Sequence, residues 1–122
     1  MTTRKHKVFV YGTLREHGVT ATHVLWGYVM YNYGNKFPYI IPSKGRFAEP
    51  MEVFGNIREV NDEELAQLDR YEGVDRGLYK RVKVTAEHLY EDEADEAWTY
   101  VGDGIADELI ESGDWLYASK EL

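Results

Sequence analysis

The sequence Val-Phe-Val-Tyr-Gly-Thr-Leu spans residues Val8 to Leu14. Its first three residues are β-branched or aromatic, and Gly12 soon interrupts the apolar run, which favours a buried strand that ends in a loop. Gly12 allows the backbone to turn and to approach a ligand closely, and the successive amides of Gly12, Thr13 and Leu14 can converge on one anion. Tyr11 and Thr13 add hydroxyl groups. The loop is a candidate binding site, although an ordinary strand end with Thr13 as a turn residue explains the same pattern.

The bulk composition predicts one soluble domain over residues 1–122. The chain has 122 residues, of which 43% are hydrophobic, enough for one packed core. It carries 22 acidic and 14 basic residues, so its formal net charge of -8 disfavours nucleic acid and membrane surfaces as partners. No apolar segment approaches the length of a membrane span, and the N-terminus has no signal-peptide pattern. A cytoplasmic location is therefore expected.

The residue types present limit the chemistry that the chain can perform. It has no cysteine, which excludes disulfides, thiolate metal sites and thiol nucleophiles. The four histidines are irregularly spaced and are expected at the surface or in loops. Because a metal site needs several converging ligands, none is predicted.

Several further segments have the composition of strands: His23 to Tyr33, Phe37 to Pro42, Met51 to Val60, Tyr79 to Ala86 and Ala97 to Val101. Gly27 lies inside the first of these segments and indicates a bulge or a close backbone contact. The prolines at positions 38 and 42 confine the second to a sheet edge or to a short piece beside a loop.

One helix is predicted between the third and fourth of these strands. Asn61 is an N-cap candidate, Leu65 and Leu68 have helical spacing, and Gly73 is a C-cap candidate. A second, short helix is expected within Ile105 to Leu116. The predicted fold class is α+β: a small mixed, mainly antiparallel β-barrel of five to six strands, with one main helix and short flanking helices.

Glu72 closes the predicted main helix, where a carboxylate faces the negative end of the helix dipole. Its pKa is expected to rise if no cation pairs with it, and a carboxyl tuned toward neutrality can act as a general acid and base. The alternatives are a solvated side chain or an ion pair with Arg76 or Arg81.

Three motifs together resemble one known family. They are Tyr11-Gly12-Thr13-Leu14 after a strand, Leu68-Asp69-Arg70-Tyr71-Glu72-Gly73 about sixty residues later, and Leu78-Tyr79-Lys80-Arg81 opening the next strand. Their order and spacing resemble the γ-glutamylcyclotransferase superfamily, in particular its γ-glutamylamine cyclotransferase and AIG2-like branch. The resemblance extends from Val8 to about Trp115 and implies a barrel with a cavity between the strand-end loop and the helix-end carboxylate.

The resemblance also implies an activity on a small-molecule γ-glutamyl amide, which is cyclised to 5-oxoproline with release of an amine. By that resemblance, Glu72 is the general acid and base, whereas Tyr11, Gly12, Thr13 and Leu14 hold the γ-glutamyl group. Tyr79 is a plausible wall of the pocket, or else an aromatic residue that packs on the sheet. No metal or cofactor is implied. The family commonly has an acid or a threonine where Asn56 stands here, which affects the expected substrate choice more than the expected catalysis.

Two other classes of function fit the same residues. The pocket of a non-catalytic binding module would hold a small carboxylate or amide without converting it. An interaction protein would use the acidic stretch from Glu91 to Glu96 to contact a basic partner, although such charge runs are usually only solvated.

Overall fold

The structure is a computed structural model that describes residues 4–12, 20–33, 37–43, 52–77, 79–102 and 108–109. The strands are β1 (Lys5–Val10), β2 (His23–Trp26), β3 (Tyr28–Tyr33), β4 (Phe37–Pro42), β5 (Glu52–Asn61), β6 (Tyr79–His88), β7 (Ala94–Gly102) and β8 (Glu108–Leu109). The helix α1 spans Asp62–Tyr71, and a single turn of 3-10 helix follows at Val74–Arg76.

Five strands form a closed barrel in the order β1-β5-β2-β6-β7. All neighbouring strands are antiparallel except β1 and β7, which run parallel where Val8 pairs with Trp98. Because side chains alternate along a strand, β1 contributes to two apolar clusters. Phe9 belongs to one cluster, and Val8 and Val10 to the one that contains the buried residues of α1. The predicted α+β class, with a mixed and mainly antiparallel barrel, is confirmed.

The remaining strands form a second sheet in the order β4-β3-β8. The predicted edge position of β4, based on its two prolines, is confirmed. The segment from His23 to Tyr33 is not one strand with a bulge, as expected, but two strands in different sheets. Gly27 separates them with φ +87°, and an added Cβ there would meet no atom within 4 Å. A left-handed turn, rather than a close contact, therefore explains this glycine.

Local sequence signals determine α1. The Asn61 side chain accepts a hydrogen bond from the Glu64 backbone N–H at 2.8 Å, and the Glu64 carboxylate accepts one from the Asn61 backbone N–H at 3.0 Å. This capping box satisfies two backbone donors at the helix start. Leu65 and Leu68 are buried against the barrel, and the left-handed conformation of Gly73 at φ 69° follows the helix end.

Two further predictions are wrong where the structure describes the residues concerned. Glu108–Leu109 form a strand rather than part of a helix, because their backbones pair with Tyr31 and Asn32 of β3. The rest of the predicted helix within Ile105 to Leu116 lies outside the described residues. His23 is neither at the surface nor in a loop: it lies in β2 with 5% exposure, and the partly buried Asp95 provides it with a hydrogen-bond partner.

Among the residues that the structure describes, no helix is long and apolar enough to cross a membrane. α1 is the only α-helix in this part of the chain, and the 3-10 turn is the only other helical element there. That turn brings the chain from the end of α1 to the start of β6, so it links two of the predicted site residues, Glu72 and Tyr79.

Candidate active site

Tyr11 follows the last residue of β1 and is buried. Its hydroxyl donates a hydrogen bond to the carbonyl oxygen of Tyr100 at 2.5 Å. Burial, with contributions from Tyr79 and Glu72, raises the pKa of Tyr11 well above its ordinary value of 10.0. The phenol therefore stays protonated, and its hydroxyl ties the end of β1 to β7.

Gly12 is also buried, and it lies against the start of β4. A Cβ atom added to it would lie 2.7 Å from Cγ of Pro38, so a larger residue does not fit unless β4 shifts. The structure thus gives a steric reason for this glycine. Thr13 and Leu14 lie outside the described residues, and the convergence of the loop amides on one anion stays a prediction.

Glu72 is the residue after α1, and the αL conformation of Gly73 turns the chain away from the helix. The Glu72 side chain is half-buried, and no described residue forms a hydrogen bond or an ion pair with its carboxyl group. Burial raises the pKa of Glu72 from 4.5 to about 7. The pKa is raised, as predicted, and the cause is the loss of solvent around the carboxyl group.

Tyr79 lies at the start of β6, and its hydroxyl donates to the carbonyl oxygen of Pro38 at 3.2 Å. Burial is the main reason that its pKa is raised, and the neighbouring Glu72 is the next. The negative charge of Glu72 also raises the pKa of Tyr100, after burial and the contacts with Asp69. The carboxyl group therefore lies near the phenols of Tyr11, Tyr79 and Tyr100.

Sequence reasoning missed Tyr100. Its hydroxyl donates to Oδ1 of Asp69 on α1 at 2.7 Å, and its carbonyl oxygen accepts the bond from Tyr11. Alternation along β7 places Trp98 and Tyr100 on one face, but no local signal indicates that this face meets the end of α1.

The sequence indicates Arg76 and Arg81 as possible ion-pair partners of Glu72. Arg81 pairs with another carboxylate, because its Nη1 atom lies 3.1 Å from Oδ2 of Asp69. The side chain of Arg76 lies outside the described part of the chain. Within the described residues, Glu72 is thus a half-buried carboxyl group with no cation bound to it.

The arrangement is suited to proton transfer. A carboxyl group with a pKa of about 7 is present in both protonation states near neutral pH, so it can accept a proton and return it. The structure, in the residues it describes, contains no group of three or more His, Asp or Glu side chains placed to hold a metal ion.

Comparison with known proteins identifies the family. The family model described as gamma-glutamyl cyclotransferase, AIG2-like, matches residues 8–117. The chain belongs to this family. The matched span includes all six predicted site residues, although their roles stay predictions. No protein with a curated description matches the chain.

Solved structures share the fold of this AIG2-like chain. An Arabidopsis thaliana protein is 26% identical with a TM-score of 0.68, and the match covers 99% of this chain and 83% of that one. An AIG2-like protein from Mus musculus is 22% identical with a TM-score of 0.65, covering 84% and 80% of the two chains. A gamma-glutamyl cyclotransferase is 20% identical with a TM-score of 0.63, covering 87% and 70%.

Asn56 is the position at which this AIG2-like sequence departs from the expected pattern. Its side-chain amide donates to the Thr20 carbonyl oxygen at 3.0 Å and to the Thr22 hydroxyl at 3.3 Å. These bonds hold the segment that leads into β2. Asn56 thus has a structural role in addition to any effect on substrate choice.

Proposed function

We propose that this AIG2-like protein cyclises a γ-glutamyl amide, either a γ-glutamylamine or a γ-glutamyl amino acid, to 5-oxoproline and a free amine. Family membership supports the reaction class. The observation that carries the proposal is the carboxyl group of Glu72, which is half-buried, lacks a described cation partner and has a pKa of about 7. A group of this kind is what an intramolecular proton-transfer reaction at neutral pH requires.

In the proposed mechanism, the Glu72 carboxylate removes a proton from the α-ammonium group of the substrate. The free amine attacks the γ-carbonyl carbon and forms the C–N bond of a five-membered lactam. Glu72 then gives its proton to the leaving nitrogen as the original amide bond breaks. The attacking nitrogen begins with three N–H bonds and keeps one in the lactam, so its second proton also passes through the Glu72 carboxyl group to the released amine. The amine leaves in its ammonium form, and the carboxylate is regenerated.

The other residues of the site are proposed to position the substrate. Nucleophile and electrophile belong to one molecule, so holding the substrate in a folded conformation supplies much of the rate enhancement. The loop amides of Gly12, Thr13 and Leu14 are proposed to bind the γ-glutamyl group, and Tyr79 to form a wall of the pocket. Because the Tyr11 hydroxyl already bonds to Tyr100, its proposed contribution is to fix the start of this loop.

The test is incubation of the protein with a panel of γ-glutamyl amides, with 5-oxoproline measured by mass spectrometry. Glu72→Gln is expected to lower kcat by a factor of about 10²–10⁴, the usual contribution of a general acid and base. Its matched control is Glu63→Gln, which removes the same charge from an exposed position in the first turn of α1. The control is expected to keep the wild-type kcat.

Substrate binding separates this proposal from the binding-module alternative. Glu72→Gln is expected to bind a γ-glutamyl amide with nearly wild-type affinity, as measured by calorimetry, while losing turnover. If the wild-type protein binds members of the panel and releases no 5-oxoproline from any of them, the enzyme proposal is wrong and the binding module is supported.

A further inference from the structure

Asp69 lies three residues before Glu72, one helical turn away, and its carboxylate has two partners. Oδ1 accepts the Tyr100 hydroxyl bond at 2.7 Å, and Oδ2 lies 3.1 Å from Nη1 of Arg81. The two carboxyl groups at the end of α1 thus differ: Asp69 has a cation and a hydrogen-bond donor, and Glu72 has neither among the described residues.

Arg81 is held on two sides. Its guanidinium binds Asp69 and also lies 4.6 Å from the centre of the Trp98 ring. The Nζ atom of Lys83 lies 4.6 Å from the centre of the same ring. Arg81 lowers the pKa of Tyr100, whereas Asp69 and Glu72 raise it. All three charged groups therefore lie around one phenol, and Arg81 binds the carboxylate that lies one helical turn before Glu72.

We propose that Asp69 is a positioning residue of the site: by binding Arg81 and the Tyr100 hydroxyl, it keeps the guanidinium away from the Glu72 carboxyl group. Glu72 is thereby left without a cation although Arg81 binds the carboxylate one helical turn before it. The catalytic consequence of this arrangement rests on the proposed function, but the arrangement itself does not.

The other groups around Glu72 do not replace this effect. Those that face it from the barrel are phenols: Tyr11 of the β1 end, Tyr79 of β6 and Tyr100 of β7. On its own segment, Arg70 and Asp75 are exposed and form no ion pair with a described residue.

An arginine bound to Glu72 would change its chemistry. A cation beside a carboxylate stabilises the charged form and lowers the pKa by about 1–3 pH units. Glu72 would then be a weaker base toward the substrate ammonium, and it would carry a proton for the leaving amine in a smaller fraction of molecules at neutral pH. Without its own partner, Arg81 is expected to make this contact.

The experiment follows the carboxyl carbon of Glu72 by NMR across a pH titration, with the resonance assigned from Glu72→Gln. Asp69→Asn is expected to lower the Glu72 pKa from about 7 by at least about 1 pH unit. Asp69→Ser is made alongside it, so that either folded variant suffices. Asp69→Glu keeps the carboxylate and is expected to retain a value near that of the wild type.

Removal of Asp69 also removes a negative charge near Glu72, which by itself lowers the pKa. The double variant Asp69→Asn with Arg81→Met separates the two causes, since it has no arginine to release. The proposal expects the pKa in the double variant to return to within about half a pH unit of the wild type. If Asp69→Asn lowers it equally with and without Arg81, Asp69 acts only as a like charge and the proposal is wrong.

The kinetic readout is the acid limb of the kcat/KM profile, which is expected to move with the NMR value in each variant. A wild type that shows no turnover contradicts the proposed function but leaves the NMR test of Asp69 intact. An unchanged Glu72 pKa in Asp69→Asn contradicts this inference while the proposed function stands.

Discussion

Glu72 and Asp95 lie beside opposite ends of β7 in the same barrel. Asp95 is near the start of that strand, and Tyr100, which senses the charge of Glu72, is near its end. Five residues of extended chain separate these positions by about 17 Å. The two carboxyl groups are both partly buried. Asp95 has a cation and an N–H donor beside it, and Glu72 has neither among the described residues.

Asp95 is surrounded by donors. Lys7 Nζ lies 2.6 Å from Oδ1, and His23 Nε2 lies 2.9 Å from Oδ2. The hydrogen bonds from Lys7 and His23 lower the pKa of Asp95 below 3.8, although burial acts in the opposite direction. At Glu72 no hydrogen bond or cation of this kind counteracts burial, so the pKa rises. Burial without a partner therefore keeps the Glu72 carboxyl group suited to proton transfer, whereas the partners of Asp95 hold it as a carboxylate that stabilises the fold.

The pH dependence of activity gives the largest expected difference between Glu72 and Asp95. If the Glu72 carboxylate is the base, kcat/KM falls tenfold for each pH unit below about 7, or about 100-fold by pH 5. Asp95 does not titrate in this range because its pKa is lowered. Asp95→Asn is therefore expected to keep the same acid limb, whereas a profile that is flat down to pH 5 contradicts the assignment of Glu72.

The stability of Glu72→Gln gives the second largest difference. The folded-state pKa of about 7 exceeds the ordinary 4.5, so ionisation of Glu72 costs folding free energy as pH rises between these values. Well above pH 7 the cost is complete and, after a discount for the solvent that still reaches this half-buried group, amounts to about 2–3 kcal/mol. Urea unfolding at pH 8 is expected to show Glu72→Gln more stable than the wild type by this amount, and the difference should nearly vanish at pH 4.

A stability gain that is the same at both pH values has another explanation. A neutral residue at a helix C-terminus is favoured over a carboxylate by about 0.3–1 kcal/mol through the helix dipole. Such a result would show that desolvation of Glu72 contributes little. The comparison of two pH values thus distinguishes burial of the charge from its position on the helix.

The parts of the fold that the sequence predicted are those determined by neighbouring residues. The capping pair Asn61 and Glu64 lies within one turn of the chain, and the spacing of Leu65 and Leu68 defines the buried face of α1. Glu72 was identified for the same reason, since the position of an acid at a helix end is a local property.

The parts that the sequence could not predict depend on distant contacts. Leu109 lies in a strand because the backbone of Tyr31 is beside it, and nothing in its local pattern indicates this pairing. Tyr100 joins the site because it bonds to Asp69, which is 31 residues away in sequence. The absence of an Arg81 contact at Glu72 depends on the same distant bond network, so single-sequence reasoning left that alternative open.

The smallest expected effect concerns the end of the barrel around Asp95. Asp95→Asn replaces the charged acceptor of a buried histidine with an amide, and hydrogen bonds to charged groups contribute about 1.5–3 kcal/mol. Since the amide oxygen can still accept one bond, the expected loss of unfolding free energy at pH 8 is about 1–2 kcal/mol. The lowered pKa means that the carboxylate of the wild type stabilises the fold above its ordinary value of 3.8 and ceases to do so as pH falls through the folded-state value.

The changes in unfolding free energy at pH 8 are therefore expected to have opposite signs. Asp95→Asn is expected to be less stable than the wild type, and Glu72→Gln more stable. The loss of stability in the Asp95 variant should shrink as pH falls below the ordinary value of 3.8, because the wild type loses its charge as pH passes through the lowered folded-state value. Its kcat is expected to match that of the wild type, because Asp95 lies at the far end of β7 from Glu72. A loss of turnover in Asp95→Asn with unchanged unfolding free energy would reverse the assignment of roles, because the paired carboxylate would then be the one on which catalysis depends.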